Sequence, residues 1–351
     1  MTDFSLKAKV GELSGLPAIK RYENNPIFGA KDVSYPSTLA FNAGVTKFQG
    51  RYIMAFRNDK CRDDNMQRLE SSGTGLAFSD DGISWKAAPR MMDFHYRGTT
   101  LGLCNDARLT VVDDRVFISF CNNGFHGERP GIALMIDECN CDVIYLGVPA
   151  QRNIILASDK VNGRYWRLER PHTRREPLRS DIWISFSQDL KYWGDSELLI
   201  GVEDVPYANV KIGGGAPPIK TEKGFLVIFH SVDNDPDRVT EYKNGVRWSS
   251  RYTAGAALLD LADPRRLIGI TRTPIMIPEA PYETGNQEKF YRENVIFPGG
   301  AILEKDGILR IYYGAGDLCE CMAEVKLDDL LAAITPYSRK AEFGNDVDLN
   351  L

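Results

Sequence analysis

The sequence predicts an all-β protein, specifically a single five-bladed β-propeller with a central active-site pocket. Five times along the chain, a short glycine or aspartate turn is followed by an alternating apolar run that ends on a polar or charged residue. Alternation with period two is typical of half-buried strands, and a unit repeated at about blade length indicates radial architecture. The runs are FQGRYIMAFR (48–57), DDRVFISFCN (113–122), VNGRYWRLER (161–170), EKGFLVIFHS (222–231) and KDGILRIYYGAGD (305–317).

A second turn-and-strand segment follows each run and supplies the outer part of each predicted blade. Asp and Gly at the turn positions favour hairpins there. The last of these segments, 325–334, is also predicted to form a short closing helix. Irregular spacing between the runs predicts long loops on one rim. The outer segments are 79–86, 137–147, 187–194, 259–269 and 325–334.

The bulk properties bound the domain organisation and the partners. We expect an N-terminal extension (1–20), the propeller (21–335) and a polar tail (336–351), with a two-domain β-sandwich as the structural alternative. The net charge of −5, with both signs interspersed, argues against a nucleic-acid partner. No apolar stretch approaches the ~20 residues that span a membrane, and no secretion signal is visible. A cytoplasmic protein without a membrane partner is expected.

Seven cysteines are present, an odd number without a recognisable framework spacing. Cys139 with Cys141, and Cys319 with Cys321, form two pairs that would share a strand face and could suit a metal. We predict free thiols in a reducing compartment instead, with no metal site.

Two carboxylates come where the strands approach the predicted channel. Asp106 precedes the second run and Asp317 ends the fifth. Paired carboxylates are typical of glycosidic-bond chemistry. In the alternative interpretation, Asp106 is a residue at the start of a strand, paired with Arg108. If the strands are equivalent, five residues at the ends of the runs converge on one site: Arg57, Asn122, Arg170, His230 and Asp317.

Basic residues bracket the third and fourth runs. Arg152 precedes the third run and Arg170 closes it, while Lys211 precedes the fourth and His230 closes it. Four such groups on one rim would form an anion pocket, because Arg offers a fork for oxygen pairs and Lys a point charge. The glycines of 211–218 lack the context of a nucleotide-binding loop and would instead let the backbone pass close to a sugar or phosphate.

Aromatic side chains supply candidate stacking faces for sugar rings, and each is alternatively part of the core. The candidates are Trp183, Trp193, Tyr252, Tyr291, Phe297 and Tyr312.

A series of motifs between residues 22 and 331 carries a family resemblance. They are NPIF (25–28), FNAGVTKFQGRYIMAFR (41–57), NDARLTVVDDRVF (105–117), RNIIL (152–156), NGRYWRLERP (162–171), SDIWISFSQDLKYWG (180–194), KIGGGAPPIKTEKGFLVIFHSV (211–232), GAALLDLADPRRLIG (255–269), PYETG (281–285), NVIFPGGA (294–301) and LRIYYGAGD (309–317). On these motifs the chain resembles glycoside hydrolase family 130, the inverting β-mannoside phosphorylases and their hydrolytic relatives. The resemblance implies the five-bladed propeller as well.

The resemblance also implies roles for individual residues. Asp106 falls on the catalytic general acid, whose proton reaches the leaving oxygen through a hydroxyl of the mannosyl ring, and Asn105 falls on a position that lines the site. The family commonly has Pro where this chain has Ala107, which leaves the geometry of Asp106 less fixed. The mannosyl unit is held at the positions of Asn42, Arg57 and Asp317, and inorganic phosphate at those of Arg152, Arg170, Lys211 and His230.

The implied reaction is phosphorolysis of a terminal β-D-mannoside to α-D-mannose 1-phosphate and a shortened sugar. One acid and several cations suit phosphate as the nucleophile, whereas a hydrolase needs a second carboxylate as base. A β-mannoside hydrolase and a non-catalytic carbohydrate-binding propeller are the alternatives. No metal or organic cofactor is expected, and the family's tendency to self-associate leaves a homo-oligomer open. The predicted acceptor loops, 61–73, 123–131 and 230–248, match the family less well, so the linkage and acceptor stay open.

Overall fold

The computed structural model describes residues 9–337 except 64, 65, 67, 173–178, 243, 244, 288 and 289. Its strands form five principal sheets around a central channel, which confirms the five-bladed β-propeller and not the two-domain sandwich. Within these residues, no helix is both long and apolar enough to cross a membrane.

The first three blades follow one another along the chain, after a short strand β1 (Lys20–Arg21). The first blade contains β2 (Leu39–Phe48), β3 (Arg51–Cys61), β4 (Leu69–Ser79) and β5 (Lys86–Ala87). The second contains β6 (Asp93–Tyr96), β7 (Thr99–Leu101), β8 (Cys104–Val112), β9 (Arg115–Gly124), β10 (Gly127–Met135) and β11 (Asn140–Leu146). The third contains β12 (Gln151–Leu156), β13 (Tyr165–Pro171), β14 (Ile182–Ser187) and β15 (Trp193–Ile200).

The last two blades carry the longer insertions. The fourth blade, with a separate hairpin formed by its strands 19 and 20, contains β16 (Lys211–Gly214), β17 (Ile219–Thr221), β18 (Gly224–Asn234), β19 (Thr240–Glu241), β20 (Arg247–Trp248), β21 (Ser250–Leu259) and β22 (Leu267–Thr271). Helix α1 (Pro281–Thr284) leads to the fifth blade, which contains β23 (Ile296–Leu303), β24 (Ile308–Ala315) and β25 (Cys319–Lys326). Helix α2 (Leu327–Ala332) and strand β26 (Ile334–Pro336) follow, and α2 confirms the predicted closing helix.

The repeated runs form the second strand of every blade, not the innermost one. They lie in β3, β9, β13, β18 and β24, and each pairs antiparallel with a preceding strand that faces the channel. The innermost strands are therefore β2, β8, β12, β16 and β23. Since the runs are bounded by clear turns and the inner strands are not, the sequence pattern reveals the second strand of each blade and not the innermost one.

The ring closes through the N-terminal strand. β1 pairs antiparallel with β25, so the fifth sheet has the order β1-β25-β24-β23. Arg21 is fixed there because its Nε donates to Glu283 Oε1 at 2.8 Å. At the other end of the chain, Pro336 of β26 pairs with Gly269 of β22. The predicted domain boundaries at 20/21 and 335/336 therefore lie within the paired strands β1 and β26. Residues 1–8 and 338–351 lie outside the described residues.

The hydrophobic core lies between neighbouring blades. One buried cluster fills each of the five interfaces around the ring. Between the third and fourth blades, for example, Trp166 packs on Phe225 with ring centroids 5.1 Å apart. The faces that neighbouring sheets turn towards each other are thus buried, and this burial holds the ring together. The apolar residues of the alternating runs supply these faces.

A buried arginine, Arg108 of β8, joins the inner strands at the channel. Its Nε donates to the carbonyl of Gly215 at 2.6 Å, and its Nη2 to the carbonyl of Pro298 at 3.4 Å. Its Nη1 donates to the carbonyls of Asn42 and Ala107 at 3.2 and 2.9 Å. One side chain therefore binds backbone from four blades.

The inner strands approach so closely that only glycine fits at several positions, and Gly44 and Gly299 are two of them. A Cβ on Gly44 would lie 2.6 Å from the carbonyl oxygen of Ala107. A Cβ on Gly299 would lie 2.0 Å from the carbonyl oxygen of Ala43. Because these obstacles are backbone atoms of neighbouring blades, they cannot move aside. Close approach of β2 to β8 and β23 sets the dimensions of the channel.

The first prediction concerns Arg108. Arg108→Met keeps much of the side-chain length but removes every donor, so four buried carbonyls lose a partner. Because an unsatisfied buried acceptor costs about 1–3 kcal/mol, we expect the free energy of unfolding in urea to fall by at least ~3 kcal/mol. Arg115→Met, at an exposed position of β9, is the matched control. Equal stability of the two variants would contradict the role of Arg108.

Candidate active site

A cavity of about 170 Å³ opens at the central channel and draws side chains from all five blades. Seven of the nine sequence-predicted site residues line it, while Asn105 and His230 do not. The complete lining is Asn42, Arg57, Asp106, Arg152, Asn153, Arg170, Lys211, Tyr252, Val295, Phe297 and Asp317.

Three inner strands use one backbone feature to place a side chain in the cavity. Each has an irregularity in its register, at which Asn42, Asp106 and Asn153 have φ angles of 53°, 53° and 51°. Asn and Asp tolerate this left-handed conformation better than other non-glycine residues, and bulges often re-aim a side chain at a site. Asn153 was missed from the sequence, although it takes the same structural place as Asn42 and Asp106.

Two arginines hold Asp106 in its ionised form. Arg152 Nη2 donates to Asp106 Oδ2 at 2.5 Å, and Arg57 Nη1 lies 3.6 Å from Oδ1. Burial acts to raise the pKa of Asp106, but the charges of Arg152 and Arg57 outweigh it and lower the pKa to about 2. Asp106 therefore pairs with residues of other blades, not with Arg108 as in the alternative interpretation.

Asp317 has the opposite electrostatic environment. Burial raises its pKa above the ordinary value, and Arg57 and Arg292 oppose this only in part. Its Oδ1 accepts a hydrogen bond from Asn42 Nδ2 at 3.4 Å. The cavity thus contains two carboxyl groups whose pKa values are shifted in opposite directions, a pattern common at catalytic sites.

Arg57 is oriented by a carboxylate that sequence reasoning missed. Its Nε donates to both oxygens of Asp59 at 3.0 Å, and Asp59 is almost completely buried. The available signal was the spacing, because residues two apart on β3 face the same side of the sheet. This charge-assisted contact fixes the guanidinium where it can also reach Asp106.

The cation cluster contains three charged groups at the cavity, Arg152, Arg170 and Lys211. His230 is fully buried, with Nε2 3.0 Å from Arg170 Nη1. Burial, together with the charge of Arg170, lowers the pKa of His230 well below its ordinary value, so the ring is neutral and accepts this hydrogen bond. His230 therefore supports Arg170 from behind the cavity and is not the fourth cation that the sequence predicted.

Arg170 is itself in an unfavourable place for a charge. Burial and the nearby charge of Arg152 lower its pKa to about 10. No ion pair to Arg170 is found among the described residues. A bound anion would compensate this buried charge.

Asn105 and Asn122 connect strands and do not reach the cavity. Asn105 Nδ2 donates to Ser72 Oγ at 3.2 Å, and its Oδ1 accepts from Asn123 Nδ2 at 3.0 Å. Asn122 Nδ2 donates to the carbonyl of Gly102 at 2.6 Å. Cys121 pairs with Asn105 just before the irregularity of β8, and Arg57 occupies the corresponding place in the first blade. The residue of the second blade that is equivalent to Arg57 is therefore Cys121 and not Asn122.

Two of the six candidate aromatics, Tyr252 and Phe297, line the cavity. Tyr312 is core and donates to the carbonyl of Gly82. Trp193 lies under the guanidinium of Arg167, and the remaining two, Trp183 and Tyr291, are partly buried outside the cavity lining.

Five buried polar atoms of residues that line the cavity lack a hydrogen-bond partner within the described part of the chain. Three are donors, namely Arg152 Nε, Arg170 Nε and Asn153 Nδ2. Two are acceptors, namely Asp106 Oδ1 and Asn42 Oδ1. Since buried polar atoms are normally paired, the donor group suits an anion and the acceptor group suits hydroxyls.

The cysteines and the possible metal ligands were the other candidates for a functional site. All seven cysteines are free thiols, in agreement with the prediction. Across the described residues, no group of three or more His, Cys, Asp or Glu side chains is placed to hold a metal ion.

The fold and the cavity define a class: a five-bladed β-propeller whose central pocket combines carboxylates with a cluster of cations. The model of glycoside hydrolase family 130, described as beta-1,4-mannooligosaccharide phosphorylase, matches residues 18–335. The chain therefore belongs to glycoside hydrolase family 130.

Characterised relatives cover nearly the whole chain. The β-1,2-mannobiose phosphorylase of Listeria innocua is 28% identical, over 89% of this chain and 97% of its own. The β-1,4-mannooligosaccharide phosphorylase of Ruminococcus albus is 30% identical, over 91% and 92%. The solved structure of the Listeria innocua enzyme with β-1,2-mannobiose is similar, with a TM-score of 0.73 at 26% identity, over 90% of this chain and 98% of the other.

The second prediction follows from the opposite pKa shifts. At pH 7 we expect Asp106→Asn to be less stable than wild type by about 2 kcal/mol, because the ion pairs are lost. Asp317→Asn should be more stable than wild type, because a buried charge is removed. Urea unfolding measured from pH 7 down to pH 2 checks both variants.

The pH dependence of stability follows from the direction of each pKa shift. Asp106 ion pairs stabilise the fold above the unfolded pKa of 3.8 and lose that effect as pH falls towards about 2. The penalty at Asp317 is present above its raised folded pKa and disappears as pH falls to 3.8. Both differences from wild type should therefore shrink in acid. Shifts of the same sign in the two variants at pH 7 would contradict these assignments.

Proposed function

We propose that the protein is an inverting β-mannoside phosphorylase, which cleaves a terminal β-D-mannoside with inorganic phosphate. The observation that carries the proposal is that one cavity holds buried donors without a hydrogen-bond partner, on Arg152, Arg170 and Asn153, together with such acceptors on Asp106 and Asn42. Phosphate offers oxygens to the first group, and a mannosyl ring offers hydroxyls to the second. The names of the relatives as phosphorylases support the same reaction.

Phosphate is proposed to bind between Arg152, Arg170 and Lys211, with Asn153 as a neutral donor and His230 holding Arg170 in place. A phosphate oxygen attacks the anomeric carbon, and the bond from that carbon to the glycosidic oxygen breaks with inversion. The leaving oxygen gains a proton that originates on Asp106 and passes through a mannosyl hydroxyl. The products are α-D-mannose 1-phosphate and a shortened sugar.

Phosphate also explains how Asp106 comes to hold a proton. The charge of Arg152 is the largest factor that lowers the pKa of Asp106. When the oxygens of phosphate take the guanidinium of Arg152, that stabilisation of the carboxylate weakens and its pKa rises towards the working range of a general acid. Nucleophile binding and acid protonation are thus linked through one side chain.

The mannosyl unit is proposed to lie against Asn42, Arg57 and Asp317. The raised pKa of Asp317 suits a carboxyl group that exchanges hydrogen bonds with sugar hydroxyls. Arg57 is fixed by Asp59, so it offers a preorganised donor to the ring. Tyr252 and Phe297 supply the apolar wall.

The remaining parts of the proposal concern cofactors and location. The reaction transfers a mannosyl group to phosphate and needs neither a metal nor an organic cofactor, with phosphate as co-substrate. It also runs in reverse as a glycosyltransferase reaction from mannose 1-phosphate. We propose a cytoplasmic location, where phosphate and a phosphorylated product are retained.

The third prediction is strict dependence on phosphate. Wild-type enzyme with β-1,2- and β-1,4-mannobiose should form mannose 1-phosphate in phosphate buffer and release no mannose in phosphate-free buffer. Ion chromatography of both products checks this for each linkage. Release of free mannose without phosphate would instead indicate a hydrolase on the same fold.

The fourth prediction concerns Asp106 as the acid. Asp106→Asn should lower kcat by about 10²–10⁴-fold, the usual contribution of general acid catalysis, while mannobiose still binds in calorimetry. Steady-state phosphorolysis is the measurement, with Asp142→Asn on the exposed side of β11 as control. Unchanged turnover in Asp106→Asn would remove this residue from the mechanism, and a wild type that binds mannosides without turnover would favour a binding propeller.

A further inference from the structure

Glu128, at the start of β10, lies beside the cation cluster although no sequence motif pointed to it. Its Oε1 accepts a hydrogen bond from Arg152 Nη1 at 2.9 Å. Its Oε2 lies 3.3 Å from His172 Nε2. The Arg152 guanidinium and the His172 ring therefore both lie against this carboxylate.

Arg152 is held by two carboxylates at once. Nη2 donates to Asp106, Nη1 donates to Glu128, and the buried Nε has no partner within the described residues. A guanidinium held at Nη1 can turn about that nitrogen, so that Nη2 and Nε change partners while the side chain stays in the site. The contact on Nη1 therefore leaves Nη2 and Nε available to a second acceptor.

The charge at Glu128 also balances the cluster. Contact with His172 and the charge of Arg152 lower its pKa to about 2 against the effect of partial burial, so it is ionised at neutral pH. Arg170 and Lys211 face the same cavity. A fixed negative charge behind Arg152 reduces the repulsion among these cations, but it also opposes an incoming anion.

We propose that Glu128 is a positioning residue that anchors Arg152 through Nη1, so that Nη2 and Nε can pass from Asp106 to phosphate. This inference rests on the proposed phosphorolysis. It concerns the segment 123–131, which matches the family motifs less well. Its effect should fall on phosphate, because Glu128 contacts neither Asn42 nor Arg57 among the sugar-facing residues.

Two variants separate position from charge. Glu128→Gln keeps an acceptor for Arg152 Nη1 and removes the charge that opposes anions. We therefore expect its dissociation constant for inorganic phosphate to be equal to that of wild type or lower. Glu128→Ala removes the anchor, and we expect a phosphate dissociation constant about tenfold higher, as for loss of one charge-assisted contact.

The measurements are calorimetric titration of each enzyme with inorganic phosphate, and KM for phosphate and for mannobiose in phosphorolysis. In Glu128→Ala, KM for phosphate should rise in parallel while KM for mannobiose changes less than about twofold. Glu138→Ala, an exposed glutamate of the same blade that pairs with Arg51 at 3.6 Å, is the matched control. Urea unfolding of all variants shows whether each is folded.

Two outcomes overturn the inference. The first is an unchanged phosphate dissociation constant in folded Glu128→Ala. The second is an equal loss in Glu128→Gln and Glu128→Ala with both KM values raised together, which indicates a general structural role. Failure of the proposed function itself looks different, because wild type would then neither bind phosphate nor depend on it.

Discussion

The interactions of one buried guanidinium organise the channel on which the site depends. Arg108 donates to carbonyls of Asn42, Ala107, Gly215 and Pro298. The innermost strands of a propeller have an unpaired edge, and unpaired backbone groups in a buried place are costly. By binding carbonyls from four blades, Arg108 satisfies these groups and fixes the blades relative to one another. Two of the carbonyls belong to Asn42 and the residue after Asp106, so the same contacts set the positions of the site residues.

The register irregularities convert this fixed channel into a functional pocket. Asn42, Asp106 and Asn153 take nearly identical backbone conformations on three blades, yet they offer an amide, an acid and an amide. Because the backbone is repeated and the side chain is not, these three blades present one acid and two amides from the same backbone conformation. The fold thus separates the scaffold, which the repeat preserves, from the chemistry, which depends on single residues.

Local patterns predicted what depends on local sequence. Alternation and turn residues gave the second strands and outer hairpins, and the family motifs gave seven of the residues that line the cavity. Two errors have different origins. The neutral state of His230 depends on burial beside Arg170, which is a contact between blades. Asn122 lies one residue beyond the position equivalent to Arg57, because Cys121 is the residue that pairs with Asn105. The pairing of N-terminal β1 with C-terminal β25 is also a long-range contact that no local pattern marks.

The distribution of counter-charges among the cavity arginines connects the proposed phosphate binding to the proposed acid catalysis. Arg57 has Asp59, and Arg152 has Asp106 and Glu128. Among the described residues, the side chain of Arg170 instead has only the neutral His230 as a hydrogen-bonding neighbour. Burying a guanidinium without a counter-charge is costly, and an arriving anion recovers that cost. Phosphate would therefore bind most strongly beside Arg170 and draw Arg152 away from Asp106. In the proposed mechanism, the same displacement raises the pKa of Asp106. The low pKa of that carboxyl beside Arg152 and its proposed role as an acid beside bound phosphate would then be two states of the same site.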